Sequence, residues 1–374
     1  MTRIVAGFGL GMLVVLLTLP LRAAVLEVGE GRPFAHPQAA LAAVKAGDEI
    51  RVHPLSDGKP YPGVTLRLNL PGLTLRGMGE KPVLLSAKGV DLSGRGPVPR
   101  AVIQLDPSAQ GALIDHFEIV NGHNDDGNAA GIRVNQANDV TVRRCDLHHN
   151  DNGIFSNPGG EGEVRRLRLE ENRIHHNGAA KGRGNSHNLY LAGAGVYLLK
   201  NEVHDSLDGH NLKSRTHLLL AEENLFRHAR QREIDLVDSR ESAVAGSDVL
   251  LRGNRIIKGH KAKNHEVIYF GSDGSHQRRG TLYLLNNVLE TPFTTAMIHL
   301  DGPEVAMHLD GNRLVTTSAP KPGRLLRYSG GAAEGRVVSG RNSLSPGFSD
   351  ALPSGTPAGL PLSLTHLEAL RRSP

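Results

Sequence analysis

The chain has 374 residues, of which 44 are glycine, 4% are aromatic and none is tryptophan. This length suits one large domain or two ordinary ones, and the abundant glycine with few helix-forming runs favours an all-β solenoid over a helical protein. The net charge of +5, from 43 basic and 38 acidic residues scattered along the chain, argues against nucleic acid as a partner and leaves a polyanionic substrate open.

The first 24 residues have the pattern of a secretory signal peptide. Arg3 precedes an apolar run over residues 4–19, and small residues follow at Ala23 and Ala24. A membrane anchor is the alternative, but the run is shorter than the roughly 20 residues that span a bilayer. We therefore expect a secreted or periplasmic protein with no membrane span in its mature form. Cys145 is the only cysteine, so no internal disulfide can form.

The mature chain opens with a strand at residues 25–28, and a short amphipathic helix is predicted over residues 37–44. A second strand follows at residues 47–52. A helix at this place can cover the open end of a solenoid, which otherwise exposes apolar side chains and unpaired strand edges. We predict that it is an N-terminal capping helix.

A two-part rhythm repeats from about residue 70 onward. The first part is a short strand in which one residue separates two apolar ones. It occurs at residues 103–105, 132–134, 154–156, 189–191, 212–214, 234–236, 268–270 and 298–300. The second part is a strand that begins with asparagine, one residue and an apolar side chain. Its asparagines are Asn172, Asn201, Asn224, Asn254, Asn287, Asn312 and Asn342, with Phe117 and Cys145 at the same place in two earlier turns.

Asparagine is a poor strand residue, so its recurrence needs a reason. A reason exists if each side-chain amide bonds to those of the coils above and below. A right-handed parallel β-helix of about nine to ten coils over residues 25–345 explains the repeats. Residues 346–374 are predicted to be a C-terminal tail, and no second domain is indicated.

Neighbouring residues in a strand point to opposite faces, so the residue between the two apolar ones points outward. The outward column predicted in this way is Gln104, Arg133, Phe155, Tyr190, Lys213, Asp235, Tyr269 and His299. Around it, residues 187–190 (HNLY) and 210–213 (HNLK) repeat after 23 positions, so matching residues should stack about 4.8 Å apart. Tyrosine rings can stack on sugars and basic side chains can hold carboxylates, so the column is predicted to bind a chain-like acidic glycan.

The coil pattern and asparagine ladder resemble the pectin-lyase-like parallel β-helix superfamily, and the polar strip resembles polysaccharide lyases of the chondroitinase B and alginate lyase type. The resemblance implies a Ca²⁺ site made by an asparagine on one coil and an acid-X-acid pair on the next. Asn211, Glu233 and Asp235 match that pattern. In the family the catalytic lysine follows the acidic pair, whereas here that region offers Arg240, and Lys213 lies one coil earlier.

A lyase acting on uronate sugars must neutralise the carboxylate, remove the C5 proton and assist the C4 leaving group. We assign neutralisation to Ca²⁺ or Arg215, and we assign the base to Lys213, with a pKa lowered by neighbouring cations. Tyr190 or His210 is the predicted acid. C5 epimerisation begins with the same proton removal. The residues predicted to bind substrate are Arg133, His187, Asn188, Arg240, Tyr269 and His299.

Two alternatives remain open. A glycoside hydrolase would use two carboxyl groups, Asp235 with Glu233 or Asp238. A non-catalytic carbohydrate-binding β-helix would need neither set. Simple structural roles also fit: Lys213 can pair with Asp235 across strands, and Asn188 and Asn211 can form a second ladder. The pairs at residues 148–149 and 175–176 (both HH) are interpreted as turn residues at the repeat period. A monomer is expected.

Overall fold

The computed structural model describes residues 23–157, 166–179, 182, 184–274, 276–353 and 364–372. Residues 1–22 of the predicted signal peptide (1–24) lie outside the described part of the chain. The described chain winds into a right-handed parallel β-helix with three sheets, here called A, B and C, of 12, 10 and 10 strands. The all-β fold and the predicted nine to ten coils are confirmed.

Every pair of neighbouring strands is parallel. Along sheet A the strands are Val25–Val28, Glu49–Val52, Thr74–Gly77, Leu113–Asp115, Val140–Arg143, Leu167–Glu170, Gly195–Leu199, Leu218–Glu222, Val249–Arg252, Gly280–Leu285, Val305–Asp310 and Val337–Ser339. Along sheet B they are Val83–Ser86, Phe117–Val120, Asp146–His148, Arg173–His175, Glu202–His204, Leu225–Arg227, Arg255–Ile257, Val288–Thr291, Arg313–Thr316 and Ser343–Leu344. Along sheet C they are Leu66–Leu68, Ala101–Leu105, Ala130–Asn135, Asn152–Asn157, Leu189–Leu191, Leu212–Ser214, Ile234–Leu236, Ile268–Phe270, Ala296–Asp301 and Arg324–Ser329.

The predicted asparagine ladder occupies the bend between sheets A and B. In a typical coil, Glu171 takes a left-handed backbone conformation (φ 55°) and Asn172 follows it into the turn. The Asn172 side chain donates from Nδ2 to Asn201 Oδ1 at 3.0 Å, and the same oxygen accepts the Asn172 backbone N–H at 3.0 Å. The pattern continues to Asn342, so each bend satisfies its buried polar groups through the next coil.

The junctions between sheets differ in how much their length varies. From Arg143 to Arg313, every passage from sheet A to sheet B takes two residues. The two passages on either side of sheet C are variable. Only three residues separate Leu191 from Gly195, whereas the whole segment 237–248 separates Leu236 from Val249. The spacing of ladder asparagines therefore ranges from 23 to 33 residues.

Both ends of the solenoid are covered. The predicted N-terminal helix exists as Pro37–Leu41, shorter than expected, and it packs on the first strands. At the other end, Phe348 and Leu352 pack against the last core residues. The short helix Thr365–Glu368, continued by the 3₁₀ turn Ala369–Arg371, lies on the outer face of sheet A, and a further 3₁₀ turn spans Glu334–Arg336. In the part of the chain that the structure describes, no helix has the length and apolarity needed to cross a membrane.

Candidate functional site

The predicted outward column forms on sheet C. Strand register places Phe155 beside Tyr190, Tyr190 beside Lys213 and Lys213 beside Asp235. The column continues in the same way through Tyr269 and His299. The flanking apolar residues, such as Leu212 and Ile234, are fully buried, because alternation holds within each strand.

A cleft of about 640 Å³ lies over the second half of this column. Its floor is the outer face of sheet C, and its walls come from the loops that precede and follow the strand Ile268–Phe270. The side chains that line it are mostly charged or polar. They are His210, Lys213, Arg232, Asp235, Val237, Lys263, Asn264, His265, Glu266, Tyr269, Ser272, Asp273, Thr295, His299 and Arg327.

Lys213 bridges two carboxylates at one end of the cleft. Its Nζ donates to Asp235 Oδ2 at 3.1 Å and to Asp273 Oδ2 at 2.9 Å. Burial alone would lower the pKa of Lys213, but the two carboxylates outweigh it, so the pKa is raised. Lys213 is therefore a cation at neutral pH. This corrects the predicted base role, which required a lowered pKa.

Arg215 is held beside Lys213 by the same loop carboxylate. Its Nη1 and Nη2 donate to Asp273 at 2.9 and 2.5 Å, and its Nε donates to Tyr190 Oη at 3.0 Å. Burial opposes the charge of Arg215, but Asp273 and Tyr190 raise its pKa. The phenol oxygen of Tyr190 thus accepts a hydrogen bond from a permanent cation, next to the Lys213 ammonium in the column.

Arg232 organises the middle of the cleft. It donates from Nη1 to Asp235 Oδ1 at 2.8 Å and from Nε to Glu266 Oε2 at 2.8 Å, and its guanidinium lies 4.3 Å from the Tyr269 ring centroid. Burial raises the pKa of Asp235, but His210, Lys213 and Arg232 outweigh it and hold that pKa well below its usual range. The Asp235 carboxylate is therefore ionised and fully engaged.

Tyr269 and His299 lie where the column predicts, and both contact acids. The Tyr269 hydroxyl donates to Asp301 Oδ2 at 2.5 Å, and burial together with Asp301 raises its pKa. His299 Nδ1 lies 2.9 Å from Glu266 Oε1, and His299 Nε2 lies 2.7 Å from Ser329 Oγ. These two predicted substrate-binding residues face the cleft.

The two histidines of the repeated segment stack under the column. The rings of His187 and His210 are 5.1 Å apart, and His187 also meets the Tyr190 ring edge-on at 5.1 Å. His210 Nδ1 accepts the backbone N–H of Arg232 at 3.1 Å, so the proton of the neutral ring is on Nε2, 3.3 Å from Asp235 Oδ2. Burial lowers the pKa of His210 to about 4. Both its nitrogens have partners, which argues against the predicted acid role.

Two of the predicted Ca²⁺ ligands, Asn211 and Glu233, meet inside the coil, apart from Asp235 on the outward column. Asn188, Asn211 and Glu233 each precede a sheet C strand, where the chain bends and turns them inward, and all three are fully buried. Asn188 donates to Asn211 Oδ1 at 2.8 Å, and Asn211 donates to Glu233 Oε2 at 2.6 Å. They form a second ladder, which also corrects the substrate-binding role predicted for Asn188.

The electrostatics of this place also disfavour a cation. The Glu233 carboxylate accepts the Ala229 N–H at 2.9 Å and lies 3.9 Å from the buried Lys258 ammonium. Asp235, the third predicted ligand, is already held by Lys213 and Arg232. Ca²⁺ takes about six to eight oxygen ligands. Because the oxygens of Asn211, Glu233 and Asp235 are already engaged by protein donors, these residues do not fit a Ca²⁺ site.

Two further predictions are corrected. Asp238, one of the candidate hydrolytic acids, is buried, and its carboxylate accepts the backbone N–H groups of Asp273 and His276 at 2.6 and 2.5 Å. It fixes the loop that carries Asp273. Arg240 is exposed and does not line the cleft. Its side chain follows the strand end at Leu236 by four positions, so strand alternation no longer aims it at the column.

Arg133 lies at the far end of the column from the cleft. Its guanidinium stacks 4.1 Å from the Phe155 ring centroid, and Phe155 packs against Tyr190 at 4.9 Å. Burial and the nearby Arg100 lower the pKa of Arg133 to about 10. His187, in contrast, is buried beneath Tyr190 and positions that ring; the substrate contact predicted for His187 is not supported.

Sequence reasoning missed Arg232, Glu266 and Asp273. Arg232 and Glu266 precede their strands in variable loops, and Asp273 is 60 residues beyond Lys213. The one available signal is that Glu266 lies in a long loop over residues 259–266, since long loops beside a solenoid sheet often form the walls of its groove. Their charges gave no indication of their partners.

The known proteins that resemble this chain do so in fold, at low sequence identity. The family model described as right handed beta helix region matches residues 102–287. No curated protein sequence matches the chain.

Three solved structures are similar in chain path. The alginate lyase from Paenibacillus sp. has 15% identity and a TM-score of 0.49, over 84% of this chain and 99% of that one. The DFA-IIIase from Arthrobacter chlorophenolicus A6 has 10% identity and a TM-score of 0.46, over 82% and 89%. The pectin methylesterase from Aspergillus niger has 12% identity and a TM-score of 0.40, over 94% and 96%.

Proposed function

We propose, starting from the pectin-lyase-like right-handed parallel β-helix fold of this chain, that it is an exported enzyme that acts on a uronic-acid polysaccharide by β-elimination. The observation that carries the proposal is the Tyr190–Arg215 hydrogen bond of 3.0 Å beside the Lys213 ammonium. It combines a group that can transfer a proton with two cations on the outer face of sheet C, where Lys213 lines the cleft and Tyr190 is its neighbour in strand register.

Lys213 and Arg215 supply the positive charge in this scheme. An ammonium has three hydrogens, and Lys213 uses two of them on Asp235 and Asp273. The third is available for the uronate carboxylate, which makes the neighbouring C5 proton more acidic. Lys213 thus takes the neutralising role that the sequence had suggested for Ca²⁺ or Arg215.

Tyr190 is the proposed proton-transfer residue. Neighbouring positions of the column are about 4.8 Å apart, so a sugar whose carboxylate contacts Lys213 extends over Tyr190. The deprotonated Tyr190 oxygen takes the C5 proton while Arg215 offsets its charge. The C4–O bond then breaks as the C4–C5 double bond forms, and the same proton passes to the departing O4. Tyr190 ends the cycle as it began.

Hydrolysis by two carboxyl groups has less support. A general acid needs a carboxyl group that is protonated near neutral pH. The cleft carboxylates Asp235, Glu266 and Asp273 all have lowered pKa values, because the cations around them outweigh burial. Glu233 has a pKa raised to about 7 by burial, but it belongs to the inner ladder and has no surface exposed to the cleft.

The test is a panel of uronic-acid polymers and neutral glycans incubated with the purified chain. We expect unsaturated product ends, detected by their ultraviolet absorbance, from at least one uronate polymer and from no neutral glycan. A second assay in D₂O follows C5 exchange by NMR. Reducing ends without absorbance would support a hydrolase, C5 exchange without cleavage would indicate an epimerase, and binding alone would favour a non-catalytic solenoid.

A further inference from the structure

Sheet B carries a column of histidines that the cleft does not use. His148, His175 and His204 end successive strands of this sheet and are neighbours in strand register. Their rings are stacked, with centroids 4.9 and 4.8 Å apart and planes inclined by 17° and 7°. The column lies on a different sheet from the cleft, so its chemistry is separate from the proposed reaction.

Each of the first two histidines meets an acid from the preceding coil. His148 Nε2 lies 3.1 Å from Glu118 Oε1, and His175 Nε2 lies 3.0 Å from Asp146 Oδ1. Three side chains here each offer a ligand atom, and these atoms lie within 4.8 Å of one another: Asp146, His148 and His175. Among the described residues this is the only such group of His, Cys, Asp or Glu. We propose that these three residues bind a borderline divalent transition metal of the Zn²⁺ type and so tie two coils together.

The donor set selects the class of metal. Two imidazole nitrogens and one carboxylate suit Zn²⁺, Co²⁺ or Ni²⁺ and are a poor match for Ca²⁺, which prefers oxygen ligands. Zinc takes four ligands, and bond lengths of about 2.1 Å require donors about 3.4 Å apart. Asp146 and His148 are partly exposed, so they have room to close this distance, and water or Glu118 supplies the fourth ligand.

A second pair of histidines is placed to adjust the protonation of the first. His148 Nδ1 lies 2.6 Å from His149 Nδ1, and His175 Nδ1 lies 2.7 Å from His176 Nδ1. Without metal, Nε2 of His148 and His175 carries the proton that bonds the acid. When metal takes Nε2, the proton on that nitrogen leaves, and the ligand ring takes over the Nδ1 proton of the contact. His149 or His176 takes up a proton on its own Nε2, so both rings stay neutral and the ligand ring donates from Nδ1 to its neighbour.

Surrounding charges are compatible with this arrangement. Glu118 and Asp146 bring negative charge to the site. Arg173 offsets part of it, because its Nη1 lies 3.4 Å from Asp146 Oδ2. The site is therefore expected to bind one divalent ion.

The test is a calorimetric titration of the full, tag-free chain with ZnCl₂ after treatment with a chelator. We expect one saturable site with a dissociation constant on the order of micromolar, an increase in melting temperature with Zn²⁺ and none with Ca²⁺. Titration with Co²⁺ should give the visible absorption of a tetrahedral site. His148→Gln and His175→Gln should each weaken Zn²⁺ binding by at least about tenfold.

His308→Gln is the matched control, because His308 is a half-buried histidine on sheet A. It should bind Zn²⁺ like the parent chain. Circular dichroism and the melting temperature without metal verify that each variant is folded. The proposal is overturned if the parent chain shows no saturable Zn²⁺ binding, or if both folded ligand variants bind it with unchanged affinity. Neither outcome bears on the proposed cleavage of uronate polymers, which is measured in a separate assay.

Discussion

At the scale of single residues, the Tyr190 hydroxyl is the atom on which the proposed reaction depends. In Tyr190→Phe the ring still packs on Phe155 and His187, but the proton carrier is gone. We expect kcat for elimination to fall at least about 100-fold, with little change in glycan affinity or melting temperature. Initial rates by ultraviolet absorbance measure this.

Tyr283→Phe provides the matched control for Tyr190→Phe, since Tyr283 lies on sheet A, away from the cleft. Its kcat should equal that of the parent chain. Retention of full activity by Tyr190→Phe would contradict the assigned proton transfer. A loss confined to affinity would indicate that Tyr190 only binds sugar.

The lowered pKa of Glu266 makes the free energy of unfolding depend on pH in the acid range. Burial would raise its pKa, but His299 and Arg232 lower it from 4.5 to about 2. A lowered pKa stabilises the folded state fully above the unfolded value and loses that contribution as pH falls from about 4.5 to 2. A pKa lowered from 4.5 to about 2 corresponds to about 3 kcal/mol without solvent screening, so after screening Glu266→Gln should remove about 2 kcal/mol of this pH dependence. Urea unfolding across that window tests it, and identical slopes for both chains would contradict it.

The residue-level site was predictable only in part. Alternation within strands predicts the column from Phe155 to His299, because each pair of flanking apolar residues fixes the direction of the residue between them. Alternation ends at the bend before a strand, so Asn211 and Glu233 were assigned to the wrong face. The protonation of Lys213 depends on Asp273, which comes from a loop 60 residues away, and sequence spacing gives no access to that contact.

At the scale of structural elements, the asparagine ladder makes a quantitative prediction. Asn224 Oδ1 accepts the N–H and Nδ2 of Asn201 at 2.8 and 2.9 Å, and Asn224 Nδ2 donates to Asn254 Oδ1 at 3.0 Å. Asn224→Ala leaves the two Asn201 donors buried without their acceptor. We expect the free energy of unfolding to fall by about 3 kcal/mol.

Lys200→Ala serves as the control for the ladder. Lys200 neighbours the ladder bend, but its ion pair with Glu223 is 3.7 Å long and more than half exposed. Its loss should change the unfolding free energy by less than about 0.5 kcal/mol. Equal effects of the two substitutions in urea unfolding would show that the ladder adds nothing beyond ordinary surface contacts.

The elements themselves were largely predictable. A ladder needs the same residue at the same bend in each coil, so it leaves a periodic mark that survives variable loop lengths. Phe117 and Cys145 hold the ladder position as predicted, and the Cys145 N–H donates to Asn172 Oδ1 at 3.0 Å. The position of the C-terminal helix on sheet A was not predictable, because its contacts are more than 100 residues distant in sequence, as between Arg252 and Glu368.

At the scale of the whole molecule, the closed ends bear on association. Phe348 and Leu352 cover the last coil, and the helix Pro37–Leu41 covers the first. We expect a monomer in sedimentation velocity. Phe348→Asp should uncover the core end and produce concentration-dependent association.

The surface change Arg341→Asp offers a control for charge, because Arg341 is almost fully exposed near the same end. It should remain monomeric at every concentration. A stable oligomer of the unaltered chain, or a monomeric Phe348→Asp variant, would contradict the covering role of the terminal segment.

The constant two-residue passage from sheet A to sheet B has an evolutionary consequence. From Arg143 to Arg313, length changes are confined to the two passages that border sheet C, and the ladder asparagine returns to its place after 23 or 33 residues alike. Insertions and deletions can therefore reshape the walls of the groove while the buried coil keeps its phase. Groove shape and coil phase are therefore set by separate parts of each repeat, so a designer could exchange exposed wall residues without redesigning the core.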